Sequence, residues 1–203
     1  MIRSPTARLF VAVDPPEEVR ARLCAWAREA AGAGSDRELT NASLRLLDPE
    51  LLHVTLCFLG NRPVVEMDML AEQIAVCGAK AGELSLGAPL WLPERSPRAL
   101  AVELHDERGR LAKLQAEVVT AMQQVSGWQA NGAAHTGVSA TGAKRRFHPH
   151  VTVARLGRGT APRQRTLPPT PSASFTPREV VLYRSWLSPQ GASYEAVAAQ
   201  ALG

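Results

Sequence analysis

The stretch HVTL at residues 53–56 recurs as HVTV at residues 150–153, 97 positions later (150 − 53). Each histidine is followed, seven residues on, by a glycine. In a β-strand, residues i and i+2 point to the same face, so each copy presents an imidazole and a hydroxyl on one side and aliphatic side chains on the other. A pseudo-twofold fold that joins the two strands places two imidazoles and two hydroxyls around one point.

The composition favours a globular protein with an anionic ligand. Of the 203 residues, 45% are hydrophobic and 21% charged, and the formal net charge is +4. No stretch reaches the roughly 18 consecutive apolar residues of a membrane span, and the N-terminus lacks a signal peptide. We therefore expect no membrane association and a cytoplasmic location. Three cysteines are too few for a disulfide framework or a zinc knuckle.

Strand and helix patterns alternate irregularly along the chain and predict an α+β fold. We expect a single domain covering residues 1–203. A Gly-rich dinucleotide fingerprint and a phosphate-binding P-loop are both missing from the sequence. Strands are predicted at 9–13, 44–47, 53–59, 83–90, 99–105, 146–156, 179–187 and 193–199. Helices are predicted from an Asp14 cap, with proline in the first turn, to about 31, at 64–79 and at 106–125. Gly60 and Gly157 are expected to end the two motif strands.

A single His-x-Thr pattern is typical of a hydrogen-bonded strand histidine, but the repeated pattern points to catalysis. Histidine serves as a base or an acid near neutral pH, because its ordinary pKa is about 6.5. Threonine hydroxyls can donate to the non-bridging oxygens of a phosphate. Arg155 adds further donors beside the second motif. Strict alternation turns Arg155 away from the His/Thr face, so a strand end or a bulge has to redirect it.

Other catalytic chemistries have little support. Catalytic zinc usually takes three protein ligands, and no Asp, Glu or Cys shares the two motif faces. His148 shares the face of His150, but Pro149 lies between them, and we expect His148 to be structural or to lie behind the residues that bind the substrate. His105 and His135 are expected at the surface or in loops. A serine nucleophile has no elbow motif to support it. We expect neither a metal nor another cofactor.

Four stretches resemble one known family. They are RLFVAVDPP at 8–16, HVTLCFLG at 53–60, FHPHVTVARLG at 147–157 and LYRSWLSPQGASYEAV at 182–197. They are similar to the two-histidine phosphoesterase superfamily, and most of all to its bacterial and archaeal RNA 2′,3′-cyclic phosphodiesterases, historically called 2′-5′ RNA ligases. The agreement extends from near the N-terminus to near the C-terminus.

The resemblance implies a bilobal fold in which two antiparallel sheets line a central cleft with helices outside. It also implies metal-independent opening of an RNA terminal 2′,3′-cyclic phosphate to a 2′-phosphate. By this resemblance, His53 is the acid for the leaving O3′ and His150 is the base for water. Thr55, Thr152 and Arg155 then bind the phosphate.

Three alternatives stay open at this point. The same residues suit reversible 2′-5′ ligation of RNA as the physiological role. They also suit a phosphodiesterase that acts on small cyclic nucleotides. A non-catalytic RNA-binding module is the third, although both intact His-Thr pairs argue against it.

The substrate partner is expected to be RNA or a cyclic nucleotide, bound by a monomer. Phe10 and Phe147 are candidates to stack on a nucleobase, or else they pack in the core. Basic residues at 144–146 and in the loop 158–165 either form a groove for the RNA strand or face solvent.

Overall fold

The strands of this chain form one antiparallel sheet. The computed structural model describes residues 4–32, 44–126, 128, 147–157, 159–162, 166–189 and 191–203. Within these ranges every strand pairing is antiparallel. The strands are β1 (Thr6–Val13), β2 (Leu44–Leu46), β3 (Val54–Pro63), β4 (Leu84–Leu92), β5 (Ala99–His105), β6 (His150–Leu156), β7 (Ser174–Phe175), β8 (Glu179–Ser188) and β9 (Gly191–Ala201).

The helices are α1 (Glu17–Ala30), α2 (Met67–Ala75) and α3 (Arg110–Ser126). Helix α3 begins later than predicted, because the Asp106 carboxylate accepts from the backbone N–H groups of Arg110 and Ala112 at 3.0 and 2.9 Å. Asp106 thus satisfies N–H groups at the start of the helix. The combination of this sheet with a few helices confirms the predicted α+β class.

One residue pair joins the two halves of the sheet. The strand order is β7-β4-β5-β6-β3-β1-β8-β9, and β2 pairs with β6 outside this path. Among the described residues, strands β3 and β6 pair only at Val54 and Val151. Four strands of the path therefore lie on each side of this junction. The expectation of two separate antiparallel sheets is therefore wrong, because the Val54–Val151 pair joins the strands into one sheet. The division of the chain into two lobes stays a prediction.

The core covers one face of the sheet at this junction. Val54, Leu56 and Val151 are completely buried. Helix α1 contacts β2 and β6, while α3 contacts β3 and α2 contacts β8 and β9. Gln115 of α3 donates from Nε2 to the Leu56 carbonyl at 3.3 Å. The helices thus lie against the face that carries the aliphatic side chains of the motifs.

Cys24, Cys57 and Cys77 are free and buried. None of the helices in the described ranges is long and apolar enough to cross a membrane. The predicted start of the second motif strand, at residue 146, lies outside the described residues.

Gly60 does not end its strand, contrary to the prediction. Strand β3 continues to Pro63, and Gly60 has a φ of +72° within it. Leu9 pairs with Gly60 while Phe10 pairs with Phe58, which leaves Leu59 as an extra residue in a β-bulge. The glycine is there because the bulge needs a left-handed backbone conformation. Gly157, by contrast, does follow the last residue of β6.

We predict that Gly60→Ala lowers the free energy of unfolding by about 1–2 kcal/mol, the usual cost of holding an L-residue in the left-handed region. An added Cβ would meet only Phe58 Cε1, at 3.9 Å, so the cost comes from the backbone and not from a clash. Gly60→Asn is the matched control, because Asn tolerates this conformation better. Urea unfolding measures both variants, and equal stability of Gly60→Ala and the wild type would contradict the assignment.

Candidate active site

The junction between β3 and β6 brings the two sequence motifs together. Val54 and Val151 pair there and point into the core. Their neighbours on each strand point to the opposite face, because side chains alternate along a strand. Directly opposed residues of antiparallel strands share a face, so the register sets Thr55 beside His150 and His53 beside Thr152. The pKa of His53 also responds to the charge of His150, as expected for close neighbours.

Both motif imidazoles are held in the same way. Nδ1 of His53 donates to the carbonyl of Leu51 at 2.8 Å, and Nδ1 of His150 donates to the carbonyl of His148 at 2.8 Å. A carbonyl can only accept, so Nδ1 carries the hydrogen in each ring. In the neutral rings Nε2 is then the nitrogen that can take up a proton.

A bulge in each motif strand redirects the fifth residue after the histidine. Leu56 on β3 is passed over in the pairing with β1, and Val153 on β6 is passed over in the pairing with β5. Because each bulge adds one residue to its strand, the side chain five positions after the histidine returns to the face that carries the histidine and the threonine. Arg155 therefore lines the cleft, as the prediction required of it, and Phe58 lines the cleft from β3.

A cleft of about 500 Å³ lies on this face. His53 and Thr55 line it together with Arg155, and further walls come from β1, β2 and the β8–β9 hairpin. A larger cavity, of about 680 Å³, lies at the start of α1 and contains none of the motif residues. We assign the smaller cleft as the site because the first motif and Arg155 line it. His150 and Thr152 are not among its lining residues; the Val54–Val151 register sets them beside Thr55 and His53 at its edge.

Aromatic rings surround His53. The ring centroid of Phe10 is 4.8 Å from that of His53, and the Tyr194 ring meets His53 edge-on at 5.3 Å. Tyr183 stacks on Phe10 at 5.3 Å, and its hydroxyl donates to the Asp14 carboxylate at 2.6 Å. Neither tyrosine was predicted from the sequence. Their only sequence signal is their place in the closing hairpin, since the pairing of β8 with β1 spans most of the chain.

The predicted nucleobase contacts remain predictions. Phe10 lines the cleft but is only 4% exposed, and its ring packs on His53 and the two tyrosines. Phe147 packs against the core just before β6. The basic residues 144–146, 158, 163 and 165 lie outside the described residues, as does His135.

Two other histidines have defined places. His148 bonds through Nε2 to Oε1 of Glu103 at 2.6 Å. His105 lies at the end of β5 and lines a separate polar cavity with Arg108 and Arg110. Across the described ranges no three His, Cys, Asp or Glu side chains are grouped so that they could hold a metal ion.

Burial lowers the pKa of both motif histidines. It lowers the pKa of His53 to about 4; the Leu51 hydrogen bond opposes this, whereas Arg155 and His150 add to it. Burial also lowers the pKa of His150; the bond to the His148 carbonyl raises it, and the charges of His148 and Arg155 lower it. Both rings are therefore neutral near pH 7 in the absence of a ligand.

We predict that His53 titrates with a midpoint near pH 4, observable in its imidazole NMR signals. An unfolded histidine titrates near 6.5, so the unfolded state binds more protons between about pH 4 and 6.5. The free energy of unfolding of the wild type should fall, relative to that of His53→Gln, as the pH drops through this window. A midpoint near 6.5 would refute the environment described for His53.

Comparisons with known proteins agree with this geometry. The family model of the 2′-5′ RNA ligase superfamily matches residues 15–186. An RNA 2′,3′-cyclic phosphodiesterase from Geobacillus stearothermophilus is 32% identical over 154 residues, which cover 72% of this chain and 44% of that protein. This chain thus spans less than half the length of that curated relative.

Solved structures share the fold over almost the whole chain. The protein TT0787 of Thermus thermophilus has a TM-score of 0.71 and 26% identity, and the match covers 96% of this chain and 97% of that one. E. coli LigT complexed with 3′-AMP has a TM-score of 0.70 and 25% identity, over 98% and 99% of the two chains. With the family model matching most of its length and both His-Thr motifs meeting at one junction, the chain belongs to the 2′-5′ RNA ligase superfamily, the two-histidine phosphoesterases.

Proposed function

We propose that this protein hydrolyses the 2′,3′-cyclic phosphate at the end of an RNA to a 2′-phosphate, with His53 and His150 as its acid–base pair. One observation carries the proposal. The Val54–Val151 pair brings two His-Thr sets to the same face, and each histidine is anchored at Nδ1 with Nε2 left for proton transfer. The curated relative is named for the same reaction.

In the proposed reaction, Nε2 of His150 accepts a proton from water while the water oxygen bonds to phosphorus. The bond from phosphorus to O3′ breaks, and Nε2 of His53 donates a proton to O3′. The product carries a 2′-phosphate and a 3′-hydroxyl, and proton exchange with solvent restores both rings. Each positioned proton transfer contributes about 10²–10⁴-fold in rate.

The bound phosphate supplies the condition that His53 needs to act as an acid. Its pKa of about 4 keeps the ring neutral in the free protein. A negative charge at hydrogen-bond distance favours the protonated ring and raises this pKa. Binding of the substrate thus promotes protonation of His53, and His53 then donates this proton to the leaving O3′. Thr55, Thr152 and Arg155 hold the non-bridging oxygens, where charge accumulates in the transition state.

The charge of the cleft favours an RNA end over a small cyclic nucleotide. Three arginines line it, namely Arg8, Arg45 and Arg155, and its described lining contains no Asp or Glu. Arg45 and Arg155 are directly opposite each other on β2 and β6, while the guanidinium of Arg8 lies 4.4 Å from the centroid of the Phe58 ring. One cyclic phosphodiester carries a single negative charge. The guanidinium of Arg8, in addition to that of Arg155, suits a substrate with a further phosphate, as in an oligonucleotide.

Ligation is the reverse of the same chemistry, with the histidine roles exchanged, and the geometry does not favour it over hydrolysis. The monomeric state and the cytoplasmic location stay predictions. Metal independence is part of the proposal, because every step above uses side chains of this chain alone.

The first test is hydrolysis of an RNA oligonucleotide that ends in a 2′,3′-cyclic phosphate, in excess chelator. We predict turnover to the 2′-phosphate, and a fall in kcat of at least about 10²-fold for His53→Ala and for His150→Ala. His105→Ala is the matched control, because that histidine lies outside the cleft. Activity that chelator abolishes and zinc restores, or a His variant with normal kcat, would count against the proposal.

The same variants assign the two roles. With bis-p-nitrophenyl phosphate, the phenolate leaves without needing a proton, so loss of the acid matters less than loss of the base. We therefore expect His53→Ala to retain more of its activity on this substrate than His150→Ala does. The opposite order would exchange the roles of the two histidines.

The arginines predict a preference for a longer substrate. The ratio of kcat/KM for a dinucleotide with a cyclic phosphate end to kcat/KM for the mononucleoside cyclic phosphate should exceed one, and Arg8→Gln should lower it by about 10-fold, or ~1.4 kcal/mol. Arg184→Gln is the matched control, since Arg184 is on β8 but stacks on Trp186 away from the cleft. A ratio of one in the wild type would favour a small cyclic nucleotide as the substrate.

A further inference from the structure

The two halves anchor their histidines alike but support the anchors differently. The carbonyl that holds His53 belongs to Leu51, the last residue of a 3₁₀ turn. The carbonyl that holds His150 belongs to His148, which immediately precedes Pro149 and β6. Leu51 has an apolar side chain, whereas His148 has one that can form a directed bond.

The side chain of His148 does form such a bond. Its Nε2 lies 2.6 Å from Oε1 of Glu103, and Glu103 is paired directly with His150 across β5 and β6. The next residue of β5, Leu104, donates its N–H to the Pro149 carbonyl at 2.9 Å. The segment that enters β6 is thus tied to β5 at two successive residues, one through a side chain and one through the backbone.

The bond between Glu103 and His148 contributes little to global stability. The side chains are 27% and 52% exposed, and such pairs are worth about 0–1 kcal/mol. Its effect is therefore local. On the other side of the site, the described residues give His53 no comparable pair, and its ring is instead packed between those of Phe10 and Tyr194.

We propose that Glu103 and His148 are positioning residues for His150: the carboxylate–imidazole bond fixes the peptide whose carbonyl holds Nδ1 of His150. This keeps the ring in one tautomer and one orientation, with Nε2 directed to the reacting phosphate. The kinetic part of the proposal rests on the proposed function, whereas its structural part does not.

In the described part of the chain, four charged or titratable groups surround His150. His148 and Arg155 come from its own segment, Glu103 faces it from β5, and His53 approaches from β3. Loss of the His148 ring removes a neighbour that lowers the pKa of His150 and leaves the Glu103 carboxylate without that partner. Both changes raise the pKa of His150.

The decisive variant is His148→Leu, which gives the second half the residue type that the first half already has at Leu51. We expect the NMR signals of His150 to report a mixture of the two imidazole tautomers in place of a single one, and a higher titration midpoint. The signals of His53 should change much less. We expect kcat to fall by about 10- to 100-fold with little change in KM, because the threonines and Arg155 still bind the phosphate.

Two further variants serve as the conservative replacement and the control. His148→Gln retains an N–H donor for Glu103 and should restore part of both the tautomer and kcat, even if His148→Leu folds poorly. His105→Leu makes the same chemical change on β5, away from the cleft, and should leave both unchanged. Thermal unfolding of each variant separates a loss of kcat from a loss of folded protein.

The NMR measurements need no substrate, so they decide the structural part even if the proposed reaction fails. An unchanged His150 tautomer and midpoint in His148→Leu would overturn the proposal. A fall in kcat with an unchanged His150 spectrum would also overturn it, because His148 would then act on the substrate directly.

Discussion

The site depends on one register, the pairing of Val54 with Val151. Because side chains alternate, a slip of one residue on either strand would turn a histidine and a threonine into the core and expose two aliphatic side chains. Burial of Val54, Leu56, Val151 and Val153 opposes such a slip. The hydrophobic effect that stabilises the core thus also sets the placement of the polar groups on the other face.

Two features beyond this pairing shape the site: the bulges in the motif strands and the different surroundings of the two histidines. The bulges at Leu56 and Val153 bring an aromatic ring into the cleft from one strand and a guanidinium from the other. The surroundings of the two imidazoles then differ. Aromatic rings pack on His53, whereas the bond between His148 and Glu103 of the neighbouring strand lies beside His150. Similar motifs therefore give two rings with unlike surroundings.

The local parts of this arrangement could be predicted from the sequence, and the long-range parts could not. The repeated HVT pattern identified the strands and their faces, and alternation showed that Arg155 required a bulge. Nothing local showed that Glu103 would pair with His150, or that Tyr183 would pair with Phe10, because such partners are set by strand order. Gly60 was misjudged because glycine serves both strand ends and bulges, and only the pairing of β1 distinguishes them.

The position of Cys57 has a consequence for the chemical durability of the site. This thiol is on β3 between Thr55 and Phe58, which both line the cleft, yet it points the other way and is fully buried. Burial raises its pKa well above the ordinary value, so the reactive thiolate is essentially absent. We therefore expect peroxides and alkylating reagents to leave this thiol unmodified, although its sulfur lies only two residues from the Thr55 hydroxyl.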